Sequence, residues 1–296
     1  MKKLRLHFYI VLAFFVITFV LGTFLDLKVS EALFFRDNGF GLFVSSIGTL
    51  PGYLLFSFIG GGFLSIALNK QYKIIYTVIF YILCAACFGL TIFFAGREFF
   101  GPNGFYMPSI KWVGYVIVAP FAAGMTYLGY YLFNKTERKG VWIILLICAF
   151  FIFMALVPGV TLLKSIFHRP RYRSLTLYDE IGFHNWYQAC KNYKDLMSVT
   201  GLTSEEFKSF PSGHAGGSAL TLIFALLVPY FVKDTEKLQL PLLYGSFVWV
   251  LLVSFSRILV GAHFLSDVSM GAILTILMIV CANECVIYEE RKLEKN

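Results

Sequence analysis

Residues 140–163 read GVWIILLICAFFIFMALVPGVTLL, and no side chain among them is charged. About 20 apolar residues suffice for a helix to cross a bilayer, so this stretch predicts a membrane-spanning helix. Charge-free apolar stretches of similar length recur near residues 8–25, 38–69, 74–96, 112–134, 215–232, 238–256 and 268–283. The sequence therefore predicts an all-α fold, a polytopic membrane bundle of about eight transmembrane helices.

The composition points to the same class of protein. Hydrophobic residues make up 58% of the chain and charged residues only 14%, whereas soluble domains carry about 25% charged residues. The formal net charge is +8, but the basic residues lie between apolar runs rather than in one stripe, which argues against nucleic-acid binding. The six cysteines form no disulfide framework.

The distribution of lysine and arginine predicts an orientation in the membrane, because short cytoplasmic loops are enriched in both. With both termini cytoplasmic, the inner connections carry Lys2, Lys3, Arg5, Lys70, Lys73, Lys135, Arg138, Lys139, Lys233, Lys237, Arg291, Lys292 and Lys295. The short outer connections carry only Lys28, Arg36, Arg97 and Lys111. Residues 164–214 and 257–263 are then predicted to be extracytoplasmic.

Two connecting segments carry separate expectations. Asp26–Ser45 has the composition of an amphipathic helix at the membrane interface, or of a plain loop. The segment 172–210 is the longest polar stretch, and its aromatic side chains suit a cap over a site or contact with lipid headgroups.

A histidine and an aspartate follow the seventh apolar run. His263 and Asp267 are four residues apart, so on a helix they would share a face. A carboxylate behind an imidazole fixes its tautomer and stabilises its positive form, which makes the histidine a base or a nucleophile. A helix-start aspartate beside an interfacial histidine would show the same spacing. Arg257 can fold back across the turn at residues 260–262.

The segment Pro211-Ser212-Gly213-His214 precedes another apolar run. Ser212 is a suitable N-cap, and the unpaired N–H groups of a helix start attract anions, which glycine lets approach closely. His214 would then stand beside the anion, where it could protonate a leaving oxygen. An ordinary cap followed by a surface histidine is the alternative.

A third segment, KSIFHRPR (residues 164–171), directly follows the apolar run at residues 140–163. Lys164 supplies a point charge, and Arg171 supplies a planar fork that can hold two phosphate oxygens. Arg169 and Arg173 are expected to belong to a basic collar at the membrane interface. Positive charge is disfavoured on the outer face, which favours a functional reason for Lys164 and Arg171.

In these three segments the chain resembles the type 2 phosphatidic acid phosphatase family, integral membrane lipid phosphatases that share their pocket with vanadium haloperoxidases. The family pattern is K-x6-RP, PSGH and SR-x5-H-x3-D. The second and third motifs are complete here, at Pro211–His214 and Ser256–Asp267. The first keeps Lys164 and Arg171, but Tyr172 stands where the family usually has proline. The resemblance covers about residues 163–280.

The resemblance implies a role for each motif residue. His263 would attack phosphorus and form a phosphohistidine, oriented by Asp267, while His214 would protonate the leaving group and later activate water. The phosphate oxygens would be held by Lys164, Arg171, Ser212, Gly213 and Arg257. Neither a metal ion nor a cofactor would be required.

The implied activity is hydrolysis of a lipid phosphate or isoprenoid diphosphate on the extracytoplasmic face of a cell membrane. The bilayer and its lipids are the partners implied; the residues single out no lipid. Alternatives are a lipid phosphotransferase using the same phosphohistidine, a vanadate-dependent haloperoxidase, and a non-catalytic transporter or scaffold.

The predicted organisation has two parts. Members of this family commonly have six spanning helices, so residues 1–139 are expected to contain a two-helix insertion, most simply at 74–96 and 112–134. Residues 140–296 would form the catalytic core, with 172–210 as its extracytoplasmic loop.

Overall fold

The computed structural model describes residues 2–69, 72–101, 107–136, 140–231 and 235–293. Every regular element within those residues is helical, which confirms the predicted all-α fold. Eight helical segments in the described residues are long and apolar enough to cross a membrane, as predicted: Leu4–Leu33, Gly39–Leu68, Ile74–Phe99, Pro108–Lys135, Val141–Leu175, Gly213–Tyr230, Lys237–Leu259 and Leu265–Lys292. The protein is therefore a multi-pass membrane protein.

Some of these segments are composed of several shorter helices. The α-helices are α1 (Lys2–Leu33), α2 (Gly39–Ile47), α3 (Leu50–Leu68), α4 (Ile74–Phe99), α5 (Lys111–Lys135), α6 (Val141–Met154), α7 (Leu163–Phe167), α8 (Tyr172–Leu175), α9 (Tyr193–Thr200), α10 (Gly213–Ala219), α11 (Ile223–Leu227), α12 (Thr235–Leu259) and α13 (Leu265–Leu293). Short 3₁₀ turns precede α5 and α10 and flank α11.

A π-helical stretch, Ala155–Leu162, joins α6 to α7 and contains Pro158. Proline removes a backbone donor from the helical ladder, and such wide turns are frequent at functional sites. Val160 of this stretch is buried, and a Cβ added to Gly213 would lie 3.7 Å from its side chain. The π-helical stretch, which ends just before Lys164, therefore packs against the start of α10.

The helices pack around one main hydrophobic core, and two smaller apolar clusters lie apart from it. The helix α3 lies against α4 and α5, α1 runs along α13, and α10 packs on both α12 and α13. Phe8, Phe63, Leu145, Leu226 and Ile276 are completely buried where these helices meet. Since α1 and α3 pack on helices of the second half, the predicted parts 1–139 and 140–296 share this core; their division as domains stays a prediction.

Residues 26–45 form neither one continuous amphipathic helix nor a plain loop. Residues 26–33 continue α1, a short turn follows, and α2 begins at Gly39 with the Asn38 side chain accepting a hydrogen bond of 2.8 Å from the Gly41 N–H. Asp26 is 2% exposed because its carboxylate binds partners inside the bundle. The C-terminal end of α1 therefore packs within the bundle.

The three motif segments lie at one end of the bundle. The ends of α1, α4, α7 and α12 meet the starts of α2, α10 and α13 there, through contacts such as the 2.8 Å hydrogen bond from the Phe35 N–H to the Leu259 carbonyl. Which side of the membrane this end faces stays a prediction. That prediction rests on lysines and arginines in the loops. Among them, Lys70, Arg138, Lys139, Lys233 and Lys295 lie outside the described residues.

Candidate active site

The PSGH turn, residues 211–214, is attached directly to the start of α13. Ser212 caps α10, with its side chain accepting from the Ala215 N–H, as the sequence predicts. Its own N–H donates to the Asp267 carbonyl at 2.9 Å. A Cβ on Gly271 would lie 2.1 Å from the Ser212 carbonyl oxygen, so only glycine permits this approach. The second and third motifs are thereby fixed to one another.

The KSIFHRPR segment wraps over the same turn. After α7, His168 adopts a left-handed conformation with φ 45°, and the chain turns back toward α8. The Lys164 Nζ donates to the Lys208 carbonyl at 2.8 Å. A Cβ on Gly213 would lie 3.9 Å from Lys164 Cε. The lysine therefore stands beside the glycine of the PSGH turn.

Arg171 and Arg257 are buried beside these groups. The Arg171 Nε donates to the Glu205 carbonyl at 2.8 Å, and its Nη1 lies 3.5 Å from the Ala262 carbonyl. Gly261, at φ 65°, ends the turn after α12 in the left-handed region. The chain turns back here, and the Arg257 carbonyl accepts from the N–H groups of Ala262 and His263 at 3.0 and 3.2 Å.

His263 lies in the turn before α13, not on the helix, so the expected shared helical face with Asp267 does not exist. Its Nδ1 is 2.7 Å from the Ser209 carbonyl and 3.7 Å from Asp267 Oδ2. A carbonyl only accepts, so Nδ1 carries the proton and Nε2 keeps its lone pair. Burial lowers the pKa of His263 well below 6.5, and the charges of Lys164, Arg171 and Arg257 lower it further against the opposing effect of Asp267. At neutral pH the imidazole is thus uncharged.

Asp267 contacts His263 largely through Ser209, which the sequence analysis did not single out. The Ser209 hydroxyl donates to Asp267 Oδ2, while the Ser209 carbonyl accepts from His263. Asp267 Oδ2 also accepts from the Phe264 N–H at 2.8 Å. The carboxylate is therefore fixed by several donors, and it fixes the backbone that orients the imidazole.

Arg169 lies at the centre of this end of the bundle, so its assignment to an interfacial collar is wrong. Its side chain is fully buried, and its guanidinium forms ion pairs with Asp26 at 2.8 Å and Asp267 at 2.6 Å. It also donates to Ser266 Oγ at 2.9 Å and to the His184 carbonyl at 2.8 Å. Two carboxylates and a carbonyl hold the guanidinium away from the lipid.

Arg173 is not a collar residue either, because it binds within the 172–210 segment. Its guanidinium forms an ion pair with Glu206, whose second oxygen accepts from Ser174 Oγ at 2.8 Å. Burial acts to raise the pKa of Glu206, but the Arg173 hydrogen bond and the charges of Arg171 and Arg173 outweigh burial and hold it at about 2.

Tyr172 begins α8, and this position explains how it can replace a proline. Proline suits the first residue of a helix, where the N–H has no helical partner. The tyrosine ring instead packs edge-on against Phe34 at 5.1 Å and Phe264 at 6.1 Å between centroids. The turn is thus secured by aromatic packing between α8, the residue that follows α1 and the loop before α13.

His214 is buried beside residues from the first half of the chain. Its Nε2 lies 3.1 Å from the Ser45 carbonyl and 3.4 Å from Glu98 Oε2. Neither Ser45 nor Glu98 is part of a recognisable sequence pattern, because both contacts come from residues more than 110 positions away in the chain.

The geometry defines an all-helical membrane protein with two buried histidines and several buried cations gathered at one end of the bundle. The family model of the PAP2 superfamily matches residues 141–291, about half of the chain. The chain therefore belongs to the PAP2 superfamily, which implies phosphatase-type hydrolase activity on lipid phosphates. No curated protein and no solved structure matches the sequence significantly.

Proposed function

We propose that this protein hydrolyses a lipid phosphate or isoprenoid diphosphate at the extracytoplasmic face of a cell membrane, through a phosphohistidine on His263 and without a metal ion. The observation that carries the proposal is the state of His263. Its imidazole is buried, its Nδ1 donates to the Ser209 carbonyl, and its Nε2 therefore keeps its lone pair. A neutral, oriented imidazole close to fixed cations is suited to attack an anionic phosphorus centre.

In the first step His263 Nε2 attacks phosphorus and the bond from phosphorus to the leaving oxygen breaks. His214 gives its proton to that oxygen, so an alcohol or a lipid phosphate departs. Lys164, Arg171 and Arg257, with Ser212 and the Gly213 N–H, would hold the remaining phosphate oxygens. Charge stabilisation and positioning of this kind supply most of the catalysis in phosphoryl transfer.

In the second step His214 accepts a proton from water, and the resulting hydroxide attacks phosphorus. The phosphorus–nitrogen bond breaks, inorganic phosphate leaves, and His263 regains its lone pair. Both histidines return to their starting protonation states. The orientation of Nε2 during both steps depends on the Ser209 carbonyl and therefore on Asp267.

The test is phosphate release by purified protein in detergent, from phosphatidate, phosphatidylglycerol phosphate, lipid A phosphate and an isoprenoid diphosphate. We expect His263→Ala to abolish release and to prevent trapping of an acid-labile phosphoenzyme. His184→Ala is the matched control, because it removes an imidazole from the same end of the bundle while retaining the carbonyl that Arg169 binds. Undiminished release by His263→Ala would disprove the mechanism.

Two further results would change the substrate or reaction class. A preference for soluble sugar phosphates over all the lipids would overturn the lipid assignment. Faster transfer of the phosphoryl group to an added alcohol than to water would make the protein a phosphotransferase.

A further inference from the structure

Glu98 is a buried carboxylate at the end of α4, a helix outside the region that the family model matches. It is 6% exposed. Burying a carboxylate is costly unless it is paired or hydrogen-bonded. Glu98 Oε1 accepts from Arg97 Nε at 2.9 Å, and Oε2 lies 3.4 Å from His214 Nε2. The carboxylate therefore bridges a charged arginine and the histidine that would act as general acid.

The contacts define which nitrogen of His214 would meet the substrate. The Ser45 carbonyl and the Glu98 carboxylate both accept, and both lie near Nε2. That nitrogen therefore carries a proton, directed between the two acceptors. The proton given to a leaving group would then be carried by Nδ1, on the opposite side of the ring.

A carboxylate partner would support such a step, because several cations act on His214. The cations that act on it are Arg257 at the end of α12, Lys164 on α7 and Arg171 before α8. From α2 it meets the neutral Ser45 carbonyl, and from α4 it meets Glu98. Three positive charges oppose an imidazolium, whereas an adjacent carboxylate stabilises it.

We propose that Glu98 is a positioning residue for His214: it orients the ring through Nε2 and stabilises the imidazolium from which the leaving oxygen takes its proton. The inference rests on the proposed function. It also assigns a purpose to α4 of the predicted insertion. The site then contains two carboxylate–histidine pairs. The carboxylate of one pair, Glu98, lies outside the region that the family model matches.

The first test compares Glu98→Gln with Asp37→Asn. Glu98 and Asp37 line the same cavity of about 1030 Å³, and each substitution removes one negative charge from it. Asp37 is exposed and has no contact with His214 in the described structure, which makes it a matched control. First-turnover release of the leaving group is measured with a monoalkyl phosphate lipid and with 4-nitrophenyl phosphate.

An alkoxide needs a proton in order to leave, whereas nitrophenolate is stable without one. We therefore expect Glu98→Gln to slow the alkyl substrate by about 10- to 100-fold, within the range attributed to general acids, and to slow the nitrophenyl substrate much less. The alkaline limb of the pH–rate profile for the alkyl substrate should move to lower pH, since a less stable imidazolium loses its proton earlier. Asp37→Asn should change neither measurement.

Equal losses with the two substrates, or an unmoved alkaline limb, would refute the role of Glu98. If Glu98→Gln does not fold, the rates with the alkyl and the nitrophenyl substrate are compared in Glu98→Asp. This substitution keeps the negative charge but moves it away from His214. It should lose part of the alkyl rate and keep the nitrophenyl rate, and equal losses would again refute the role. Wild-type protein inactive on both substrates would instead refute the proposed function.

Discussion

Replacing Asp26 should destabilise the protein far more than replacing another acidic residue of α1. The Asp26 carboxylate accepts from Arg169 Nη2 at 2.8 Å, from the Ser266 N–H at 2.8 Å and from the Ser266 hydroxyl. Asp26→Ala would leave these donors buried without that acceptor. Removing one partner of a buried ion pair costs about 3–5 kcal/mol.

The lower part of that range is expected, because Arg169 keeps its ion pair with Asp267 and its hydrogen bond to the His184 carbonyl. We therefore expect Asp26→Ala to lower the free energy of unfolding by about 3 kcal/mol. Asp26→Asn should cost less, since an amide oxygen still accepts. Catalysis should fall as well, because a guanidinium that has lost its Asp26 partner would position Asp267 less firmly.

The measurement is denaturant unfolding of the detergent-solubilised protein, followed by tryptophan fluorescence. Glu31→Ala is the matched control: Glu31 lies on the same helix but is exposed, so its loss should change the free energy by no more than about 0.5 kcal/mol. A double-mutant cycle with Arg169→Ala should show a coupling above about 0.5 kcal/mol. Equal stability of the Asp26 and Glu31 variants, or additive effects in the cycle, would refute the reasoning.

Three other outcomes follow from the site. Gly271→Ala would place a Cβ 2.1 Å from a backbone oxygen of the PSGH turn. We expect this overpacking to lower the free energy of unfolding by about 1–3 kcal/mol and to abolish phosphate release. Gly245→Ala is the control and should have no effect on either, because its Cβ would meet nothing within 4 Å. The nucleophile must be uncharged, and burial lowers the pKa of His263. The acidic limb of the pH profile of kcat/KM should therefore lie below about pH 6.5. A limb above that pH would contradict the buried, neutral imidazole. In intact cells a membrane-impermeant thiol reagent should label Val199→Cys and not Lys73→Cys, both at exposed positions, and the reverse pattern would invert the predicted orientation.

The spanning helices and the motif residues were accessible from the sequence because their signals are local. An uncharged run long enough to cross a bilayer can be read without its neighbours, as at residues 140–163. The spacing of Lys164 and Arg171 likewise carries its own chemical meaning.

The supporting carboxylates were not accessible, since their partners are distant in the chain. Asp26 binds Arg169 across 143 positions of sequence separation, and a lone aspartate after an apolar run is typical of a helix end at the interface. Glu98 beside Arg97 resembles an exposed helix terminus until the fold brings it to His214. Arg169 was misassigned for the same reason: its two carboxylate partners come from α1 and α13.

The π-helical stretch before α7 also constrains how this protein can change during evolution. In an ordinary α-helix each residue turns the chain by about 100°, so gaining or losing a single residue between 155 and 162 would swing everything beyond it by roughly that angle. The ammonium group of Lys164 would then face away from Gly213. Insertions and deletions should consequently be tolerated in the polar loops but excluded from this segment, even though no residue in it is charged.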